Sequence, residues 1–325
     1  MSAKCIYSQK WPLRSVVLIL LLCTVGAIGN AQSSLGIWTY KATLPNLRGE
    51  VAAVAVGGKL HAIGGSVNGA AGPYHDEYDP TTDRWQASAP LPEGRDHLAL
   101  AASNGKIFAF GGFARSVHQD AGNDAFEYDP STDTWRTLVP MKTRRGAAGA
   151  AVVDGMIHVI GGRGLDGVTV GAHEVYDPRS GTWHDAAPLP AARDHLVIIA
   201  VGGKIHAVGG RFKSPMERTG QHDVYDPATD TWATVAPLPT PRSGLASAYY
   251  RGLILVLGGE LKPDTFAENE AYDPRTDRWM TLTPMPHGRH GFGGDVLGDN
   301  AYFVGGSLTP GDGGATDQLI MFHLP

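Results

Sequence analysis

The sequence predicts an all-β fold, a closed ring of six units with four antiparallel strands each. Three observations predict it. A Gly pair recurs six times, starting at Gly64, Gly111, Gly161, Gly209, Gly258 and Gly305, at separations of 47, 50, 48, 49 and 47 residues. A Trp (Trp38, Trp85, Trp135, Trp183, Trp232, Trp279) and an Arg (Arg48, Arg95, Arg145, Arg193, Arg242, Arg289) recur with the same separations, always ten residues apart and with sixteen from Arg to Gly pair. Glycine numbers 43 and proline 22 among 325 residues, yet hydrophobic residues hold at 42%. Such a chain is rich in turns and still able to bury a core, which favours many short strands over helices.

The elements of one unit follow in order. Nine residues after each Arg comes a turn pair (Gly57-Gly58, Asn104-Gly105, Asp154-Gly155, Gly202-Gly203, Arg251-Gly252, Gly298-Asp299) between apolar runs, the signature of a hairpin joining strands one and two. The Gly pair ends strand two, where a Cβ would obstruct a tight bend or a neighbouring backbone. Strand three closes with Tyr-Asp-Pro at Tyr78, Tyr128, Tyr176, Tyr225 and Tyr272, each seven residues before the next Trp. The Asp accepts a backbone N–H and the Pro presets φ, so the chain turns there. Strand four carries the Trp, which fills the wedge between units. Only the stretch from Gly pair to Tyr varies, at 14, 17, 15, 16 and 14 residues. One loop per unit is therefore free.

The ends complement each other. Trp38 has no Tyr-Asp-Pro before it, and the last Gly pair has no Trp after it. The apolar stretch QLIMFHL is expected as strand three of the last unit and the segment around Trp38 as its fourth strand, which ties the ring shut.

The order Arg, Gly pair, Tyr-Asp-Pro, Trp resembles Kelch repeats across the chain from about residue 35, and no Trp is followed by Asp as in the other common propeller repeat. Six units imply a six-bladed β-propeller, one domain over residues 32–325. Similar Kelch domains, including substrate adaptors of ubiquitin ligases, bind partners through the face carrying the variable loops. Arg242, in PRSGLAS, matches the family motif closely.

The first 31 residues read as a secretory signal peptide: Lys4, Lys10 and Arg14, then VVLILLLCTVGAI, then Gly29-Asn30-Ala31. The expectation is an exported protein, periplasmic or secreted. Its mature chain would carry 24 basic against 32 acidic residues and no cysteine, since Cys5 and Cys23 leave with the signal. That acidic balance speaks against nucleic acid as a partner. We expect a monomer, off the membrane once the signal is cleaved, with no cofactor.

Candidate ligand-binding residues fall in three series. Arg48, Arg95 and Arg242 belong to the repeated Arg, for which a framework role is the competing reading. Arg163, Arg211 and Glu260 follow the Gly pair in three successive units, a set able to hold a carboxylate or sugar. Two residues past the Arg stand Glu50, His97 and His195, with His290 nearby. Two histidines and a carboxylate can bind metal, but these come from separate units with no local spacing, so no metal is assigned. Glu50, Glu260 and Asp295 are the candidate acid–base groups, Asp295 being the one acid on an inner strand. His61, His158 and His206, each three before a Gly pair, read as packing residues.

These features point to a binding module for a glycan, peptide or envelope protein. The rival is a sugar-processing enzyme similar to sialic acid mutarotase, a six-bladed Kelch protein, whose chemistry needs only acid–base groups beside an Arg. The chain also resembles exported bacterial proteins with repeats such as YDPATDTW that are compared with galactose oxidase. The copper chemistry of that enzyme needs a cysteine, and none remains past residue 31.

Overall fold

The computed structural model of the protein describes residues 35–115, 118–214, 216–311 and 313–325; the signal read over residues 1–31 lies outside them. Six four-stranded antiparallel sheets stand around a central channel walled by their first strands. Blade 1 runs Ala52–Val56, Lys59–Ile63, His75–Asp79 and Arg84–Ala87, and blades 2 to 5 repeat that order. In blade 6, Gly293–Leu297, Asn300–Val304 and Leu319–His323 are completed on the outer edge by Ile37–Lys41. Trp38 pairs with Phe322 there, so the ring closes as the two chain ends predict.

The local rules hold blade by blade. Both turn residues have positive φ in five of the six inner hairpins, from Gly57-Gly58 to Arg251-Gly252, the geometry that matches strand twist. In each Tyr-Asp-Pro, the Asp carboxylate accepts the N–H two residues on, as Asp79 does from Thr81 at 2.8 Å.

The Gly pair turns out to be the joint between blades. Gly64 has φ +64°, and a Cβ on it would stand 2.4 Å from the carbonyl oxygen of Arg95 in the next blade. Gly65 donates its N–H to that same carbonyl at 2.9 Å. The bond recurs at all six junctions, ending with Gly306 donating to Arg48. Any side chain at the first Gly would pry two blades apart.

Each Trp fastens the outer edge. Its indole N–H donates to a carbonyl at the end of the preceding blade, from Trp85 to Ala42 at 2.8 Å round to Trp38 to Thr283 at 3.0 Å. Three junctions add a buried histidine pair. His61 meets His75, His158 meets His173 and His206 meets His222, at 3.0, 2.9 and 2.8 Å. The outer ring of each pair donates Nδ1–H to the carbonyl that also receives the Trp: Ala89, Ala187 and Ala236. The inner histidine must then donate to its partner's free nitrogen, so each pair is one chain of neutral donors. Burial pushes His61, His158 and His222 down to about 3 and His75, His173 and His206 to about 4. His61, His158 and His206 thus pack, as their sequence position implies, and also complete this hydrogen-bonded clasp.

Candidate functional site

The repeated Arg are built into the frame. All six are buried, Arg48, Arg145, Arg193, Arg242 and Arg289 completely. Each guanidinium runs back along its blade to an acceptor on strand three or the loop before it, and all but that of Arg95 also bond a carbonyl of strand two or of the Gly pair that ends it. Arg242 bonds the carbonyls of Gly258 at 2.7 Å and Val256 at 2.9 Å, and it pairs with Glu270. Arg48 pairs with Asp76 at 2.5 Å and Arg193 with Asp223 at 2.9 Å, while Arg95 pairs with Asp124 and Glu93. Of the candidate ligand-binding residues, Arg48, Arg95 and Arg242 therefore brace blades: each guanidinium is paired with an acid inside its own blade, although the Nε atoms of Arg48 and Arg95 are buried without a partner.

Two residues further along, the chain does something different. Glu50, His97, Ala147, His195, Gly244 and Gly291 all have left-handed φ, between 51° and 75°. The N–H of each, from His97 to Gly291, donates to the carbonyl of its equivalent in the preceding blade at 3.0–3.2 Å, and Val51 closes the circle onto Gly291. This backbone belt rings one mouth of the channel. Glycine fills two positions without strain, whereas Glu50, His97 and His195 hold large side chains in a conformation that L residues rarely adopt.

The residue after each Arg bridges to the residue after the Gly pair of the same blade, as Asp194 does to Arg211 and Ser243 to Glu260. The belt and the post-glycine series are thereby neighbours, and the side chains that break the repeat converge. Asp194 accepts from His195 Nδ1 at 2.5 Å and from Arg211 Nε at 2.7 Å. Arg211 Nη1 reaches Glu260 at 3.5 Å, and its Nη2 lies 3.2 Å from the Nε2 atoms of both His118 and His195. On the other side, His97 has Nδ1 2.8 Å from Asp96 and Nε2 3.0 Å from Glu50. His290 Nδ1 sits 3.3 Å from Glu50, and its Nε2 donates to the Thr309 carbonyl at 3.1 Å. Glu260 accepts the Gly311 N–H at 2.9 Å, and Arg163 stands 3.8 Å from Asp194.

Two opposite electrostatic settings share this mouth. Burial opposes charge on His97, but Glu50 and Asp96 prevail and raise it to about 10. Burial likewise opposes charge on Glu50, yet His97 and His290 hold it well below the usual carboxylate range. Across the mouth, burial and then Arg211 push His195 down to about 4, so it is neutral at pH 7. His118 is driven to about 2 by burial and its histidine neighbours. A cavity of about 100 Å³ opens just inside, lined by Glu50, His97, Ala147 and His195 among others.

The structure thus brings together Arg163, Arg211, Glu260, Glu50, His97 and His195 of the expected residues, and His290 with them. Asp295 stands apart, in the wall of the main channel. Its carboxylate accepts the backbone N–H groups of Ala55 at 2.8 Å and Val296 at 2.7 Å, bridging blade 6 to blade 1. Burial raises its pKa, against the hydrogen bonds from those two amides. Sequence reasoning missed Asp96, Asp194 and His118. The signal for His118 was present: the histidines of the other variable stretches, His75, His173 and His222, all stand three residues before the Tyr, and only His118, in the longest stretch, departs from that register. His97, His118 and His195 each direct a ligand atom to one place, all within 4.8 Å of one another.

The Kelch motif family matches residues 94–142, 144–190 and 241–286. The chain is a six-bladed propeller that carries Kelch motifs. Among solved structures, that of YjhT covers 86% of this chain, and 96% of the YjhT chain is covered in turn, with a TM-score of 0.74. Sequence identity is 17%, so the likeness is one of fold. No curated protein matches the chain in sequence.

Proposed function

We propose that this Kelch propeller is an exported interaction module that binds a small polar ligand, a carboxylated sugar or a peptide group, at the variable-loop mouth. One observation carries the reading: the blades repeat their frame and differ where Glu50, His97, His195, Arg163, Arg211 and Glu260 converge. A frame alone needs no such asymmetry, and three of these side chains sit on left-handed backbone, which costs roughly 1–3 kcal/mol each in a non-glycine residue. Glu50, Glu260 and Arg163 keep side-chain exposures of 11%, 13% and 21%, so a ligand meets acceptors and a cation at the entrance.

Thermal-shift screening of residues 32–325 against neutral sugars, sialic acids and short peptides tests it. A ligand at 100 times its Kd adds about 2.7 kcal/mol, a shift of a few degrees. The shift is expected to vanish in Arg211→Ala and in the near-isosteric Glu260→Gln. No shift with any of these compounds, or a shift that survives both substitutions, overturns the reading.

A second reading, a sugar mutarotase or epimerase, is favoured by His195. Asp194 fixes its tautomer, it is neutral, and a guanidinium able to hold a carboxylate lies beside it. Faster anomer exchange of a bound sugar by NMR, lost in His195→Gln, supports this reading. Binding without faster exchange leaves the module reading alone.

A further inference from the structure

We propose that His97, His118 and His195, with Glu50 as a fourth ligand, form a binding site for one first-row divalent transition-metal ion, zinc being the natural occupant. Three features of the mouth carry this. The nitrogens already converge: His118 Nε2 is 3.0 Å from His195 Nε2, and all three ligand atoms lie within 4.8 Å of one another. Imidazole nitrogens on a tetrahedral zinc, bonded at ~2.0–2.1 Å, stand about 3.3 Å apart. Small side-chain movements bring one arrangement to the other.

The outer partners are those a metal site uses. Asp96 accepts from His97 Nδ1 and Asp194 from His195 Nδ1, which turns each Nε2 into the mouth. A carboxylate behind the histidine fixes its tautomer and strengthens it as a ligand. The same Asp-His pair occurs at the same repeat position in blades 2 and 4, with the small Ala147 of blade 3 between them.

One nitrogen of the cluster also lacks an aligned hydrogen bond, and the other two share one cation. His195 Nε2 carries a lone pair and faces His118 Nε2, and the positive group present at that meeting point is Arg211 Nη2, 3.2 Å from both. His97 Nε2 is buried and makes no aligned hydrogen bond, although the Glu50 carboxylate lies 3.0 Å away. An ion entering here replaces the proton on His97 Nε2 and displaces one arm of Arg211, whose Nε and Nη1 stay with Asp194 and Glu260. Three imidazoles and one carboxylate suit zinc, cobalt or nickel and not magnesium or calcium, which take oxygen ligands.

The test does not depend on the ligand reading above, because the metal alone is the probe. Chelator-stripped residues 32–325 are titrated with Zn²⁺ by calorimetry and with Co²⁺ by visible absorption. One equivalent is expected, with the intense d–d band of a tetrahedral Co²⁺ ion, and no response to Mg²⁺. His118→Ala removes a ligand from a loop and is expected to weaken zinc at least 100-fold while the melting temperature of the metal-free protein holds. If that variant is destabilised, His118→Gln keeps a polar side chain and is still expected to lose the band. Asp96→Asn leaves all ligands in place and is expected to weaken binding 10–100-fold. No stoichiometric binding, an octahedral cobalt spectrum, or zinc affinity unchanged by both His118 variants overturns the proposal.

Discussion

Positions 48 and 50, and their five equivalents, lie two residues apart in every blade and have opposite fates. At the first, an Arg is repeated six times, buried, and spends its charge on its own blade. At the second, Glu50, His97, Ala147, His195, Gly244 and Gly291 share one backbone geometry and almost no side-chain chemistry. The first shows what the fold requires, because every blade meets the same demand. The second shows what it leaves free. A repeat protein separates structure from chemistry in this way, and identity between units marks the structural part.

The comparison is broken most forcefully at the Arg. Arg242→Ala leaves Glu270 buried without its partner and is expected to cost about 3–5 kcal/mol, seen as a lower urea midpoint. A loss under ~1 kcal/mol would remove the Arg from the frame. Gly258→Ala attacks the same joint from the other side. Its Cβ would stand 2.4 Å from the Arg289 carbonyl at φ +63°, and a cost of roughly 2–4 kcal/mol is expected in the same assay.

Acid sharpens the comparison, because the frame holds six neutral histidines. Their folded pKa values of about 3 to 4 lie below the ordinary 6.5, so the unfolded chain takes up protons first as pH falls. Their contribution is constant above about pH 6.5 and is lost between there and about 4, at up to ~1.4 kcal/mol per pH unit for each histidine. Denaturation midpoints at pH 7.5 and 5 measure it. Blade 2 fills the equivalent positions with Phe108 and Ala125, so His61→Phe with His75→Ala is expected to flatten part of that slope and keep the fold. An unchanged slope would mean that the pairs do not set it.

The smallest effect belongs to the belt. Ala147→Gly relieves a left-handed φ of 52° beside no charged partner, and a gain of up to ~1 kcal/mol in unfolding free energy is expected. A loss would show that the packing of its methyl group with Phe113 and Ala121 outweighs the strain.

The frame was legible in the sequence because each of its parts recurs at a fixed spacing: the Gly pair, the Trp, Tyr-Asp-Pro and the closing strand at Trp38. The role of the Arg was legible too, though less openly. Asp76, Glu174, Asp223 and Glu270 each stand two residues before a Tyr, a repeat of acids that accompanies four of the six Arg. The mouth was half legible. Glu50, His97 and His195 stand out because they differ within one register, and Arg211 and Glu260 for the same reason. His118 has no register, since its loop is the longest and its position depends on how that loop folds back over the channel. Asp96 and Asp194 pass for ordinary neighbours of the Arg until the bridge to the Gly pair turns them toward the histidines.

Blade 6 takes its outer strand from Ile37–Lys41 and its inner three from the last part of the chain. The earliest of the described strands therefore waits for the latest. At ~5–20 residues per second that interval is on the order of tens of seconds, during which blades 1 to 5 can form but the circle cannot. Until Leu319–His323 is in place, Ile37–Lys41 has no strand to pair with and the ring stays open.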